Sequence, residues 1–328
     1  MPLQLTEDVS HATNGNGDHN GSNGHVDVTV SAAAKLREML NDPNGFVFAP
    51  GVYDGLSART ALEVGFDCLY MTGAGTSASK LGTADLGLCT QTDMIEHATM
   101  IANLDRSVPV IADMDTGYGG PIMVSRTVEA YARAGIAGFH IEDQVLQKRC
   151  GHLGGKEVVP LDEYLARIRA AVEARERIGS DIVIMARTDA LQPLGYDDAI
   201  HRLKEAQKLG VDVLFLEGLR SKEEMRNAVA DLAPMPTLMN LIEHGATPTV
   251  SHDEAKEMGF KVMILSLASV APAYVGIRDA LVKLKKTGLM GTPSEITPKK
   301  IFEVCGLNDF TDLDGRAGGG SFGEDRTA

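Results

Sequence analysis

The sequence predicts a parallel α/β fold and, within that class, a (β/α)8 TIM barrel. Two observations carry this. Eight short apolar runs recur along the chain, continuous rather than alternating and bounded by Gly, Pro or Asp, as expected of strands buried on both faces. Each is followed by a segment of helical periodicity, and eight such units match the barrel's count. An open doubly wound sheet is the alternative. It is weakened because neither GxGxxG nor GxxxxGK[ST] follows the first run.

In chain order the predicted strands are FVFAP (46–50), CLYMTG (68–73), VPVIADMD (108–115), GFHIED (138–143), DIVIMARTD (181–189), DVLFLEG (212–218), TLMNLI (237–242) and KVMILSL (261–267). The helical segments between them are LSARTALEVG, TDMIEHATMIANL, VSRTVEAYARAG, LDEYLARIRAAVEARERIG, DDAIHRLKEAQKLG, SKEEMRNAVADLA and the short SHDEAKEMG. APAYVGIRDALVKLKKTG follows the last strand, and several of these segments end in Gly, a usual helix-terminating residue. The catalytic barrel is assigned to 30–288. ITPKKIFEVCGL reads as one extra helix within a C-terminal extension, 289–313, expected to pack on a neighbouring subunit. The Asn/Gly-rich stretch 1–29 and the end 314–328 are expected to be loose tails, since neither can bury apolar surface.

A formal net charge of −14 argues against a nucleic-acid or basic membrane-surface protein. No apolar run reaches the roughly 18–20 residues that span a bilayer, and no targeting pattern opens the chain, so the cytoplasm is the expected location. The four cysteines lack CxxC spacing and suggest neither zinc nor a disulfide framework.

Active sites of such barrels lie at the C-terminal ends of the strands. Those ends carry Tyr70, Thr72 and Gly73; Asp113 and Asp115; His140, Glu142 and Asp143; Arg187 and Asp189; Glu217; and Asn240 and Glu243. Charge beside apolar strand cores is costly unless paired or ligated. Asp113 and Asp115 are expected on one side of an extended chain, because strand side chains have period two. With Glu142 they form an oxygen-rich pocket suited to Mg²⁺ or Mn²⁺; the competing reading of Asp115 alone is an N-cap or turn residue. Arg187 suits a bidentate grip on a substrate carboxylate, against a structural ion pair with Asp189 or Glu217. MTGAGTSAS (71–79) offers backbone N–H groups to an anion or is a plain turn.

The stretch QKRCGHLGGK (147–156) sets Cys150 beside Lys148, Arg149 and His152. Cationic neighbours are expected to lower the thiol pKa and favour thiolate, in a group able to exchange a proton or attack as a nucleophile. Gly151, Gly154 and Gly155 suit a pliable lid. The bland alternative is an exposed basic loop.

KRCGH (148–152), after GFHIEDQ and DMDTGYGG, resembles the isocitrate lyase / phosphoenolpyruvate mutase superfamily. The resemblance continues through GVYDGLSAR, YMTGAG, ADLG, IMARTDA, FLEG and NLIEHGATP, covers roughly residues 31–310, and is greatest to the 2-methylisocitrate and 2,3-dimethylmalate lyase branch, especially fungal members. It implies a barrel whose last helix is swapped between subunits, in a homotetramer built as a dimer of dimers. It implies Mg²⁺ held largely through water around Asp113, with Asp85, Asp115 and Glu142 nearby. Tyr70, Thr72, Gly73, Ala74 and Arg187 would contact a small carboxylate substrate, with Glu217 and Asn240 lining the pocket. Cys150 would be the acid/base group of the lid, completed by Lys148, Arg149, Gly151 and His152, and Tyr70 would assist proton removal.

The implied reaction is carbon–carbon cleavage of a 2-hydroxy di- or tricarboxylate to pyruvate plus a carboxylate. The alternatives are hydrolysis of oxaloacetate to oxalate and acetate, and a non-catalytic metabolite-binding barrel. Ile242 stands where the hydrolases are expected to carry serine, so no hydroxyl is expected there, and an apolar wall suits a methylated substrate. Leu153 replaces an arginine of bacterial methylisocitrate lyases, removing a partner for a third carboxylate. Ser266 stands where proline is expected.

Overall fold

The computed structural model describes residues 30–320 and 322; the expected tail 1–29 and the last residues of the chain lie outside them. The eight strands are β1 (Val47–Val52), β2 (Leu69–Met71), β3 (Val110–Asp113), β4 (Gly138–Ile141), β5 (Val183–Thr188), β6 (Val213–Leu216), β7 (Thr237–Asn240) and β8 (Val262–Leu265). All pair in parallel, and β8 closes on β1 with Val47 opposite Val262. The predicted closed barrel is therefore the fold.

The helices are α1 (Ala32–Asn41), α2 (Gly55–Val64), α3 (Gly73–Thr76), α4 (Gln91–Ala102), α5 (Pro121–Ala134), α6 (Leu161–Arg177), α7 (Leu191–Leu194), α8 (Tyr196–Gln207), α9 (Lys222–Leu232), α10 (His252–Glu257), α11 (Val270–Thr287), α12 (Pro298–Val304) and α13 (Leu307–Arg316). A π-helical turn, Ser77–Leu81, follows α3. Helix α1, which the sequence reading did not list, starts on a Ser31 cap and buries Leu36 and Leu40 under the barrel. The extension holds two helices instead of one, and α13 runs past the expected boundary at 313 because its helix continues to Arg316.

Burial divides the core by strand parity. Ala112, Ile184, Leu214 and Met239 face outward to the helices, while Val47, Ala49, Tyr70, Ile111, Val183, Met185, Phe215, Leu238, Val262 and Ile264 fill the barrel. Period two then aims the next inward position of each strand at the top of the barrel. Those positions are Gly51, Thr72, Asp113, Glu142, Arg187, Glu217, Asn240 and Ser266, all polar but the first. Inner-layer parity is thus what delivers the polar residues to one place.

Helix α11, like α12 and α13 after it, buries none of its side chains, and Tyr274, Val275, Ile277, Leu281 and Val282 lie exposed. Beside its first turn an apolar groove of about 470 Å³ runs between β1 and α2, lined by Val52, Leu56, Val64, Phe66 and Pro272 among others. Among the described residues no helix is long and apolar enough to cross a membrane.

Candidate active site

Arg187 is the centre of the buried cluster. Its Nε and Nη2 donate to the two oxygens of Asp189 (2.8 and 3.2 Å). Its Nη1 meets Glu142 Oε2 at 3.1 Å and its Nη2 meets Glu217 Oε2 at 3.5 Å, with the guanidinium 5.1 Å from the Phe215 ring centre. The competing reading, an ion pair with Asp189, holds for one edge of the guanidinium. Only the Nη1/Nη2 edge, facing Glu142 and Glu217, remains for a ligand. Burial opposes the charges, yet Arg187 and His152 hold Glu217 well below the usual carboxylate range.

Asp113 and Asp115 are not related by strand parity as expected. Strand β3 ends at Asp113, and Asp115 turns out of it at φ 46. The Asp115 N–H instead donates to Asp113 Oδ1 (2.8 Å), and its carboxylate pairs with Lys148, which also binds Asp85 at 2.6 Å. Burial opposes the Lys148 charge, but Asp115 and Asp85 raise its pKa well above an ordinary lysine. Lys148 therefore bridges two of the expected metal-binding acids. Among the described residues no three His, Cys, Asp or Glu side chains converge as direct ligands of one ion. Asp115 Oδ1 and Glu142 Oε2 nonetheless face only cations, with no well-formed hydrogen bond. Gly73 is required beside this cluster, since a Cβ there would lie 2.3 Å from Asp113 Oδ2.

Tyr70 is placed differently from its expected role. Its hydroxyl pairs with His140 Nε2 at 2.9 Å inside the barrel, and burial, reinforced by Asp113, pushes the phenol pKa well above 10. A phenol that keeps its proton so firmly is a poor base. Burial likewise holds His140 neutral, with a pKa of about 4. Thr72 caps α3 through the Gly75 N–H, which leaves the Gly73 and Ala74 N–H groups without intrahelical partners.

The lid springs from an antiparallel bridge between Gln144 and Val158 and lies closed over the cluster. The Cys150 N–H donates to Asp85 O (3.1 Å). Lys156, buried, joins Gly151 O and Asp189 Oδ1, each at 2.8 Å. His152 Nδ1 accepts from the Ala246 N–H at 3.0 Å, which puts the ring proton on Nε2, toward Glu217 Oε1 at 3.4 Å. Asn240 Nδ2 donates to Glu217 Oε2 (3.1 Å), and Asn240 Oδ1 accepts from Ser266 Oγ (2.8 Å).

Leu153 is exposed. Two expectations about the lid are corrected. The Arg149 side chain is exposed and donates to Gly154 O, so only its backbone serves the site. Cys150 is no thiolate: burial pushes its thiol up, and the His152 N–H only partly offsets this. The cationic neighbours read from sequence are spent elsewhere, Lys148 on acids and Arg149 on the surface. Ile242 supplies no hydroxyl, but Ser266 brings one beside Asn240 from the adjacent strand.

Sequence reading missed Gln144, Lys156 and Ser266 as site residues. Inner-layer parity pointed to Ser266, whereas Gln144 and Lys156 carried no signal beyond lying within matched motifs.

The family model described as phosphoenolpyruvate phosphomutase matches residues 36–285. The chain belongs to the phosphoenolpyruvate mutase / isocitrate lyase superfamily. Within the superfamily it is 38% identical to 2,3-dimethylmalate lyase of Eubacterium barkeri, over 87% of this chain and 98% of that protein. A crystal structure of 2,3-dimethylmalate lyase superposes with a TM-score of 0.89 at 57% identity, covering 90% of this chain and 98% of that one. A structure of oxaloacetate acetylhydrolase with 3,3-difluorooxalacetate superposes with a TM-score of 0.88 at 58% identity, covering 90% and 99%. The superfamily motifs KRCGH, GFHIEDQ and DMDTGYGG supply the lid and the two acid-bearing strand ends of this site.

Proposed function

We propose that this carbon–carbon lyase cleaves a 2-hydroxy dicarboxylate of the 2,3-dimethylmalate type to pyruvate and a carboxylate. The observation that carries the reading is Cys150, a half-buried thiol whose raised pKa keeps its proton, next in the chain to Gly151, where the closed lid crosses Arg187 and Glu217. Cleavage leaves an electron pair on the departing carbon, and a protonated thiol is the group that quenches it.

In this reading a base of the site other than Tyr70 takes the substrate hydroxyl proton, which returns to the Cys150 thiolate at the end of the turnover, and the bond between the carbinol carbon and its neighbour breaks. The carbinol carbon becomes the keto carbon of pyruvate. The electron pair passes into the departing carboxylate as an enolate, which takes the Cys150 proton. The Nη1/Nη2 edge of Arg187 binds one substrate carboxylate, aided by the Gly73 and Ala74 N–H groups. His152 and Asn240, both tied to Glu217, orient the other end. The lid excludes water.

A divalent cation, Mg²⁺ or Mn²⁺, fits the oxygen donors of Asp85, Asp113, Asp115 and Glu142, and it fits through water, given that no direct ligand shell is formed. Such an ion stabilises negative charge developing on substrate oxygens.

One observation supports oxaloacetate hydrolysis as a second reading. The Ser266 hydroxyl gives its proton to Asn240, so its free lone pair can accept from a hydrated ketone. Against it, the buried Ile242, two residues past the end of β7, offers an apolar side chain instead of a hydroxyl and suits a methyl group.

The exposed apolar face of α11 and the groove beside it support a pairwise exchange of this helix between copies, in a tetramer. Mass measurement by light scattering tests this; a monomer at micromolar concentration overturns it. Incubation with Mg²⁺ and 2,3-dimethylmalate, methylisocitrate, isocitrate, citramalate or oxaloacetate tests the reaction. Pyruvate from dimethylmalate supports the lyase, and oxalate from oxaloacetate overturns it. Metal binding with no turnover of any substrate supports the non-catalytic barrel.

A further inference from the structure

We infer that Gln144 is a positioning residue that clamps the lid shut and ties its closure to the state of Glu142. Gln144 is fully buried at the foot of the lid. Its Nε2 donates to Arg149 O (2.9 Å) while its Oε1 accepts from the Arg149 N–H (3.1 Å). One side-chain amide thus engages both polar groups of a single lid residue, much as a paired strand residue would. The second Nε2 proton goes to Glu142 Oε1 at 2.8 Å. Every donor and acceptor assignment of the amide is fixed by these three bonds, since a flip would set Oε1 against a carboxylate and a carbonyl.

The backbone of Gln144 is anchored. Its carbonyl accepts from Arg167 Nη1 (2.8 Å), and it bridges Val158 across the lid's base. Lid opening therefore breaks the side-chain bonds to Arg149 and leaves the foot in place. Cys150 is the next residue, and its own N–H is held by Asp85 O. The clamp and the Asp85 contact together set where the thiol sits. The other oxygen of Glu142 meets Arg187 Nη1, so a continuous chain runs from Arg187 through Glu142 and Gln144 to the lid backbone. The link to catalysis rests on the role proposed above for Cys150 and for a cation near Glu142. A cation that fixes the Glu142 carboxylate fixes the acceptor for Gln144, and so tightens the lid.

The test uses the full chain carrying Cys305→Ser, which removes the exposed thiol. Alkylation of Cys150 by iodoacetamide, read by peptide mass, reports lid opening. Gln144→Met and Gln144→Glu each lose both donor bonds, and Cys150 is expected to label about tenfold faster or more in each. Mg²⁺ is expected to slow labelling in the parent and to leave both variants unchanged. Amide exchange at Arg149 in the unmutated protein, which needs no variant to fold, is expected to be slow and slower still with Mg²⁺. Unchanged labelling in both variants, or Arg149 exchange as fast as at exposed Gln147, overturns the clamp. Mg²⁺-insensitive labelling of the parent overturns the link through Glu142. Should no substrate of the panel be cleaved while Arg149 stays protected and the variants label faster, the proposed reaction fails and the clamp stands.

Discussion

Gly151 lies directly on Arg187: a Cβ at that glycine would sit 2.6 Å from Arg187 Nη2 and 2.6 Å from Glu217 Cγ. The lid closes over these two groups because it has no side chain where its backbone crosses them. Gly151→Ala is therefore expected to keep the barrel and lose closure. The value of kcat/KM should fall on the order of 100-fold, with the unfolding temperature shifted by less than about 3 °C. Steady-state kinetics beside a thermal melt measure both, and near-normal kcat/KM would show that the closed lid is not the working state.

Cys150→Ser should cost roughly 10²–10⁴-fold in kcat, the usual range for a positioned acid, with substrate affinity retained. The raised thiol pKa also fixes a pH dependence. A reaction that needs the protonated thiol keeps its rate through the pH at which an exposed cysteine ionises and declines only above it. A serine variant of near-normal rate, or a parent whose rate falls below pH 8 from thiol ionisation, removes Cys150 from the mechanism.

Asp189 neutralises two buried cations, receiving Arg187 and Lys156 together. Its carboxyl is held low against burial, chiefly by Arg187 and then by Lys156. Asp189→Asn keeps the shape and removes the charge, leaving both cations under-compensated. Breaking a buried pair in this way costs about 3–5 kcal/mol, which urea denaturation would register as a lower midpoint. An unchanged midpoint would mean that Glu142 and Glu217 suffice for Arg187.

Ser266→Ala strands the buried Asn240 Oδ1, whose one hydrogen-bond donor among the described residues is the serine hydroxyl. Freed to flip, the amide turns an acceptor toward Glu217. KM is expected to rise about tenfold, in line with one unsatisfied buried polar group, while kcat changes little. A variant with parental KM would make Ser266 a bystander.

The barrel was legible in the sequence because the strands are buried on both faces and announce themselves as apolar runs. The strand ends were legible for the same reason, since acids placed directly after such runs have no packing role. Sequence alone therefore assembled Asp113, Glu142, Arg187, Glu217 and Asn240. The setting of Cys150 marks it in the sequence, but its protonation does not follow from its chain neighbours. Adjacent cations in a chain need not be adjacent in space: Lys148 turns to Asp85 and Asp115, and Arg149 to solvent. Only the tertiary structure decided how Asp115, Gln144, Lys156 and Ser266 take part. Their roles depend on a left-handed turn, a buried amide, and partners brought from distant parts of the chain. Strand period is a local property that sequence carries, whereas the partner of a buried charge is set by packing.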